Sequence, residues 1–169
     1  IQSYAALACI AIQANQNEMH GGQSIPNFDF AMAEGVRKTY RREYERSLAA
    51  YLQICNELEP EEALALAGKY LEKAEREPRL EDTEAMRLAL VGTAEAGERE
   101  LLGKAHAYAA KEAHKTTNRR TYQAMEAFIH NLNTMNSRAG AQVPFSSVNY
   151  GTDVSAEGRM VTANLLDAT

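Results

Sequence analysis

Apolar positions near the start of the chain carry a helical period. Tyr4, Leu7, Ala8, Ala11 and Ile12 fall at i, i+3, i+4, i+7 and i+8, one face of a helix predicted over 3–19. The other face turns amide-rich, with Gln13, Asn15, Gln16 and Asn17. Gly21-Gly22 ends the helix. The short run to Pro26 is predicted to be extended, because Ile25 precedes a proline and is steered away from helical backbone. Tyr40, Tyr44, Leu48, Leu52 and Cys55 form an apolar stripe of slowly drifting i, i+4 type along a second helix, predicted over 29–57. Glu59-Pro60-Glu61-Glu62 starts a third, running to about Arg76, with its carboxylates at the positive end of the helix dipole. Residues 83–135 are helical in pattern, with breaks expected near Gly92, Gly97 and Gly103. The stretch 56–118 is rich in Ala, Glu, Lys and Arg and reads as a peripheral helical excursion rather than core.

The pattern changes at Ser137. From Arg138 to Gly151 the residues favour a strand, with Pro144 arguing for an edge or a bulge. Ser155 is the expected N-cap of a last helix near 156–168, with Glu157 in its first turn. Only two strands are legible, at opposite ends of a helical middle. A helical connection between them favours parallel pairing. So small a sheet cannot make a domain alone, and both ends of the chain fall inside patterned segments. The expectation is a mainly α piece of a larger α/β protein: helix plus short strand over 1–26, helical excursion over 27–135, strand and following helix over 137–169.

Composition narrows the class. The 169 residues are 45% hydrophobic and 24% charged, as in globular proteins. Lys plus Arg is 18 against Asp plus Glu 23, a formal charge of −5, a poor balance for general nucleic-acid binding. No apolar run approaches a membrane span, and Ile1-Gln2-Ser3-Tyr4 lacks a basic leader. A cytoplasmic protein is expected. Cys9 and Cys55 are too few for a disulfide framework or a zinc site, and both read as buried, inert thiols. His20, His106, His114 and His130 are scattered and read as solvent-facing, with no metal set among them. The basic run Arg37, Lys38, Arg41, Arg42 and Arg46 is interleaved with Glu43 and Glu45 and reads as a solvated, salt-bridged face.

Two segments resist so plain a reading. Asn17–Asn27 and Asn131–Gly151 are dense in neutral hydrogen-bonding side chains threaded with Ile, Val, Phe and Pro. Such donors and acceptors on a buried strand suit a polyhydroxylated ligand such as a sugar, or a structural hydrogen-bond network. From the residues alone, a non-catalytic helical module that binds nucleotides or partner helices also stays open.

The same segments carry a resemblance. His20-Gly-Gly-Gln-Ser-Ile-Pro-Asn-Phe-Asp29 with Ala33-Glu-Gly-Val-Arg-Lys38, Ala127-Phe-Ile-His-Asn-Leu-Asn-Thr134, Ser137-Arg-Ala-Gly-Ala-Gln-Val-Pro-Phe-Ser-Ser147 and Asn149-Tyr-Gly-Thr-Asp153 resemble the anaerobic (class III) ribonucleoside-triphosphate reductases. So do Ser155-Ala-Glu-Gly-Arg159 and Leu165-Leu-Asp-Ala-Thr169. The resemblance implies a ten-stranded α/β barrel, a finger-loop cysteine that forms a thiyl radical, a glycyl radical, a zinc site and formate as reductant. It also implies a homodimer, nucleoside triphosphate effectors, a ribonucleoside triphosphate substrate and a radical-SAM activating enzyme. The finger loop, glycyl-radical motif and zinc cysteines have no counterpart in these residues, and neither Cys9 nor Cys55 sits in a matching motif. No catalytic residue is therefore assigned, and the 169-residue chain by itself is expected to be inactive.

Within that resemblance, strand alternation divides 142–147 into Val143 and Phe145 against Gln142, Pro144 and Ser146. The apolar set is expected to face the outer helices, which aims Gln142 and Ser146 at the substrate. Ser147 and Asn149 follow if Pro144 marks a bulge. Arg138 is the candidate for a phosphate, and Gln23 and Ser24 on the first strand form the second wall. Effector contacts fall to Gln13, Asn15, Gln16 and Asn17, because amides can read a base edge.

Overall fold

The computed structural model describes residues 1–19, 21–134 and 145–169. The order of elements is α1 (Gln2–Glu18), β1 (Gln23–Ile25), α2 (Phe28–Asn56), α3 (Pro60–Ala74), α4 (Thr83–Gly92), α5 (Arg99–Thr134), β2 (Ser146–Val148) and α6 (Ala156–Asp167). Among the described residues the fold is mainly helical, with one two-stranded sheet. The chain divides into two compact units, one of Ile1–Val36 with Asn118–Thr169, the other of Arg37–Thr117.

The first unit holds the sheet. β1 and β2 run parallel, as their helical connection demands, with Gln23 beside Ser146, Ser24 beside Ser147 and Ile25 beside Val148. Around it Phe28, Met32, Val36, Met125, Phe128, Val161 and Leu165 are buried. The Phe28 and Phe128 rings pack with centroids 4.7 Å apart and planes tilted by 32°. α1 buries Ala5, Cys9, Ile12 and Gln16 and leaves Leu7 and Ile10 exposed. That corrects the predicted face, which had Leu7 inside and Gln16 outside. No charged residue occurs in 1–17, so the apolar period has only amides opposite it and no charged face to fix which side is buried. Small side chains decide instead: Ala5 and Cys9 let α1 lie against α5, with Cys9 Sγ 3.8 Å from Phe128 O.

The second unit corrects the expectation of a core-poor excursion. Tyr40, Tyr44, Leu48 and Leu52 of α2 form one cluster with Ala63 and Ala67 of α3, Met86 and Leu90 of α4, and Leu102, Ala105, Ala109 and Ala113 of α5. Large side chains on α2 are accommodated by alanines on α3 and α5, so a sequence poor in bulky residues still packs tightly. Gly103 does not break α5; the turn falls earlier, around Gly97. Cys55 is exposed, against expectation, because the stripe has drifted off the packed face by the end of α2. The basic run is salt-bridged as read: Arg41 pairs with Glu77, and Arg42 and Arg46 with Glu43.

His106 is not solvent-facing. It is 5% exposed, with Nδ1 2.8 Å from the Tyr44 hydroxyl, itself fully buried. Burial, helped by the Arg87 charge and opposed by Glu84, pushes the imidazole below its usual value of 6.5 and so favours the neutral form in the fold. Burial likewise pushes the Tyr44 phenol far up.

Two outcomes follow for stability. In the unfolded chain His106 titrates near 6.5, above its native value, so the unfolded state takes up the proton first. Stability contributed by neutral His106 is full above that pH and falls as pH drops toward the native value. Tyr44→Phe leaves the buried His106 nitrogen unpaired and is expected to cost about 1–3 kcal/mol in a denaturant melt at neutral pH. His106→Gln should flatten the loss of stability between neutral and mildly acidic pH; an unchanged slope means another group titrates there.

Candidate functional site

The candidate site is the β1–β2 pair and the turns that leave its carboxyl ends, all within the first unit. Gly21 with φ 111° lets the chain swing from α1 into β1. Backbone hydrogen bonds then zip the strands beyond their formal limits. Gln23 N–H donates to Phe145 O at 2.9 Å, Asn149 N–H to Ile25 O at 3.0 Å and Phe28 N–H to Asn149 O at 2.8 Å.

Alternation gives the sheet two sides. Gln23, Ile25, Ser146 and Val148 are half-buried, while Ser24 and Ser147 are exposed side by side. Phe145 is 81% exposed, and its ring lies against Gly22 so closely that a Cβ there would come within 2.9 Å of it. The open side thus carries an aromatic ring and two hydroxyls. On the covered side a cleft of about 280 Å³ is lined by Phe128 and Leu132 of α5, Val148 of β2 and Leu165 of α6, with Ser146 and Ser147 on its wall. This reverses the expected facing of Phe145 and Ser146. Phe145 has Gly22 to lie on and does not need the helices, and the strand is short enough for Val148 to set the covered side.

Each remaining candidate has a place. Asn149 is exposed at the end of β2. Arg138 and Gln142 lie outside the described residues. Asn15 Nδ2 donates to Gln23 Oε1, so one amide assigned to effector and one assigned to substrate meet each other. Gln16 is 8% exposed, Gln13 half-buried and Asn17 exposed, so the four amides do not share a face.

Sequence reading missed the group that organises the site. Asp29, in the first turn of α2, is fully buried. Its Oδ2 accepts the Gly151 N–H at 2.8 Å and the Asp153 N–H at 2.9 Å, and its Oδ1 lies 3.4 Å from the Thr152 hydroxyl. Burial alone raises a carboxyl, but backbone donors from Asp153, Gly151, Phe30 and Thr152 outweigh it and hold Asp29 below the usual range. Gly151 has φ 93° and Asn27 φ 52°, so both turns around Asp29 use left-handed backbone. Asp153 then accepts from the Ser155 N–H at 2.9 Å, and Ser155 caps α6 through Gly158 N–H at 3.1 Å. Asp29 and Asp153 fall inside the quoted motifs, but partners more than a hundred positions apart leave no local signal.

A protein-family model described as anaerobic ribonucleoside-triphosphate reductase matches residues 1–169. The chain belongs to this family. A search of curated proteins gave no match. Membership makes anaerobic ribonucleotide reduction by radical chemistry the activity of the family to which these residues belong. Among the described residues of this reductase-family chain, no three His, Cys, Asp or Glu side chains form a metal-binding group. No helix described is long and apolar enough to cross a membrane.

The geometry separates two glycines. A Cβ at position 158 would sit within 2.5 Å of Asp153 Cβ, a packed and hydrogen-bonded side chain. Gly158→Ala gains roughly 1 kcal/mol of helix propensity but meets an overpacking cost of about 1–3 kcal/mol, and is expected to lower the melting temperature. At Gly22 the obstacle is the Cδ1 edge of an exposed ring that can turn away about its side-chain bonds. Gly22→Ala should change the melting temperature little; an equal loss at both positions would show that Phe145 is held in place.

Proposed function

We propose that this chain is part of the catalytic subunit of an anaerobic ribonucleoside-triphosphate reductase and supplies binding groups, not radical groups, for reducing ribonucleoside triphosphates to deoxyribonucleotides. The observation that carries this is the family match over 1–169 together with a parallel strand pair whose open side presents hydroxyls and an aromatic ring. Parallel α/β sheets take ligands at the carboxyl ends of their strands. β1 and β2 end side by side there, each leading into a helix, α2 and α6.

In this reading β1 and β2 are two neighbouring strands of the ten-stranded barrel, and their open side faces its interior. Ser24, Ser147 and Asn149 meet the sugar by hydrogen bonds, and Phe145 offers an apolar surface. Gln142 and Arg138 stay in the proposed site through their motif, Arg138 toward phosphate. Gln23 and Ser146, on the covered side, support the wall from behind. Gln13 and Asn17 are the amides best placed to meet an effector; Asn15 is engaged with Gln23 and Gln16 is buried. Glycyl radical, finger-loop cysteine and zinc site belong to other parts of the enzyme, with formate as reductant and a radical-SAM protein as activator. A cytoplasmic homodimer completes the proposal.

The test uses the intact reductase. Each neutral hydrogen bond to substrate is worth about 0.5–1.5 kcal/mol. Ser24→Ala and Ser147→Ala are therefore each expected to weaken ribonucleoside triphosphate binding up to about tenfold and leave the melting temperature nearly unchanged. Binding equal to the parent in both variants refutes the site. Formate-dependent turnover by the 169-residue chain alone would contradict the division of labour.

A further inference from the structure

We infer that Asp29 is a positioning residue for substrate, holding the turn after β2 so that Ser147 and Asn149 keep their place beside Ser24. The inference rests on the proposed substrate side of β1–β2 and goes beyond it, because Asp29 is fully buried and cannot itself reach the open side. Its place in the chain is what gives it leverage. It follows β1 by four positions and opens α2, while the groups it holds, Gly151, Thr152 and Asp153, follow β2. One carboxylate thus joins the exits of both strands.

The details fit a device that sets geometry. A carboxylate accepts only, so it takes two converging N–H groups on Oδ2 without offering a competing donor. Left-handed backbone at Asn27 and Gly151 turns the chain at the exit of each strand, on either side of Asp29. Phe28 N–H holds Asn149 O from the same helix start, so Asn149 is fastened on both sides of its carbonyl and amide. Asp153 passes the arrangement on to Ser155 and the start of α6. Asparagine at position 29 would turn an N–H₂ toward one set of these donors or rotate away from the other.

The experiment is equilibrium binding of a ribonucleoside triphosphate to the intact, radical-free reductase, with melting temperature measured in parallel, for Asp29→Asn, Thr152→Val and Ser147→Ala. Thr152→Val removes only the hydroxyl that lies 3.3 Å from Asn27 Oδ1 and 3.4 Å from Asp29 Oδ1. Asp29→Asn is expected to weaken binding about tenfold and Thr152→Val about two- to threefold, with Thr152→Val melting like the parent. A melting loss in Asp29→Asn with parent-like binding overturns the inference and leaves Asp29 a purely structural group. Where Asp29→Asn does not fold, Thr152→Val decides: parent-like binding overturns the inference, weakened binding supports it. Parent-like binding in Ser147→Ala together with Ser24→Ala defeats the site itself; weakened binding in those and not in Asp29→Asn defeats only the positioning role.

Discussion

A carboxylate enclosed by protein must find donors or give up its charge, and Asp29 finds its donors in the backbone that leaves β2. Much of the sheet's local order depends on that constraint. Two strands of three residues each have too few ladder bonds to persist by themselves. Closing the ladder at one end with a charge-assisted bond to each of two amides is worth more than another neutral pair. The same bonds hold the strands' exits, the part of a parallel sheet that meets ligands.

The two units solve the problem of order by different means. Around the sheet, polar groups do much of the specifying: Asp29, the Asp153–Ser155 turn, and Asn164, whose amide donates to Asn118 Oδ1 at 2.9 Å and to Met160 O at 2.7 Å. In Arg37–Thr117 the specifying element is fit between side chains of unequal size, with the polar pair of Tyr44 and His106 buried among them. The surface ion pairs there, such as Arg87 with Glu84, are exposed and add little.

Where backbone chemistry is local, the sequence was legible. Gly21-Gly22, Pro60 and Ser155 mark element ends because their effects act within a turn, and the parallel pairing follows from the helical connection. Facing was harder. α1 lacks charges over 1–17, so its period fits more than one buried face, and the true one is the side whose small residues, Ala5 and Cys9, lie against α5. Residues 56–118 are poor in bulky apolar side chains, yet next to Tyr40 and Tyr44 alanine is the residue that fits. The serine and glutamine strand motif is legible as chemistry, but which side each residue faces depends on Ser146 and Val148 meeting α5 and α6, a contact between separate elements. Asp29 was invisible as a hub for the same reason.

The alanine column of α5 has a consequence for how such a chain can drift over time. Ala105, Ala109 and Ala113 are each fully enclosed. Alanine has no rotamer to lose on burial, so these positions are ordered at almost no entropic cost. They are also a one-way constraint. The tyrosines and leucines opposite can shrink and leave a void that neighbours partly fill, at a graded loss. The alanines cannot grow without moving a whole helix. Descent with modification should therefore be lopsided here, free on the bulky side and nearly frozen on the small one, although the small side carries no chemistry at all.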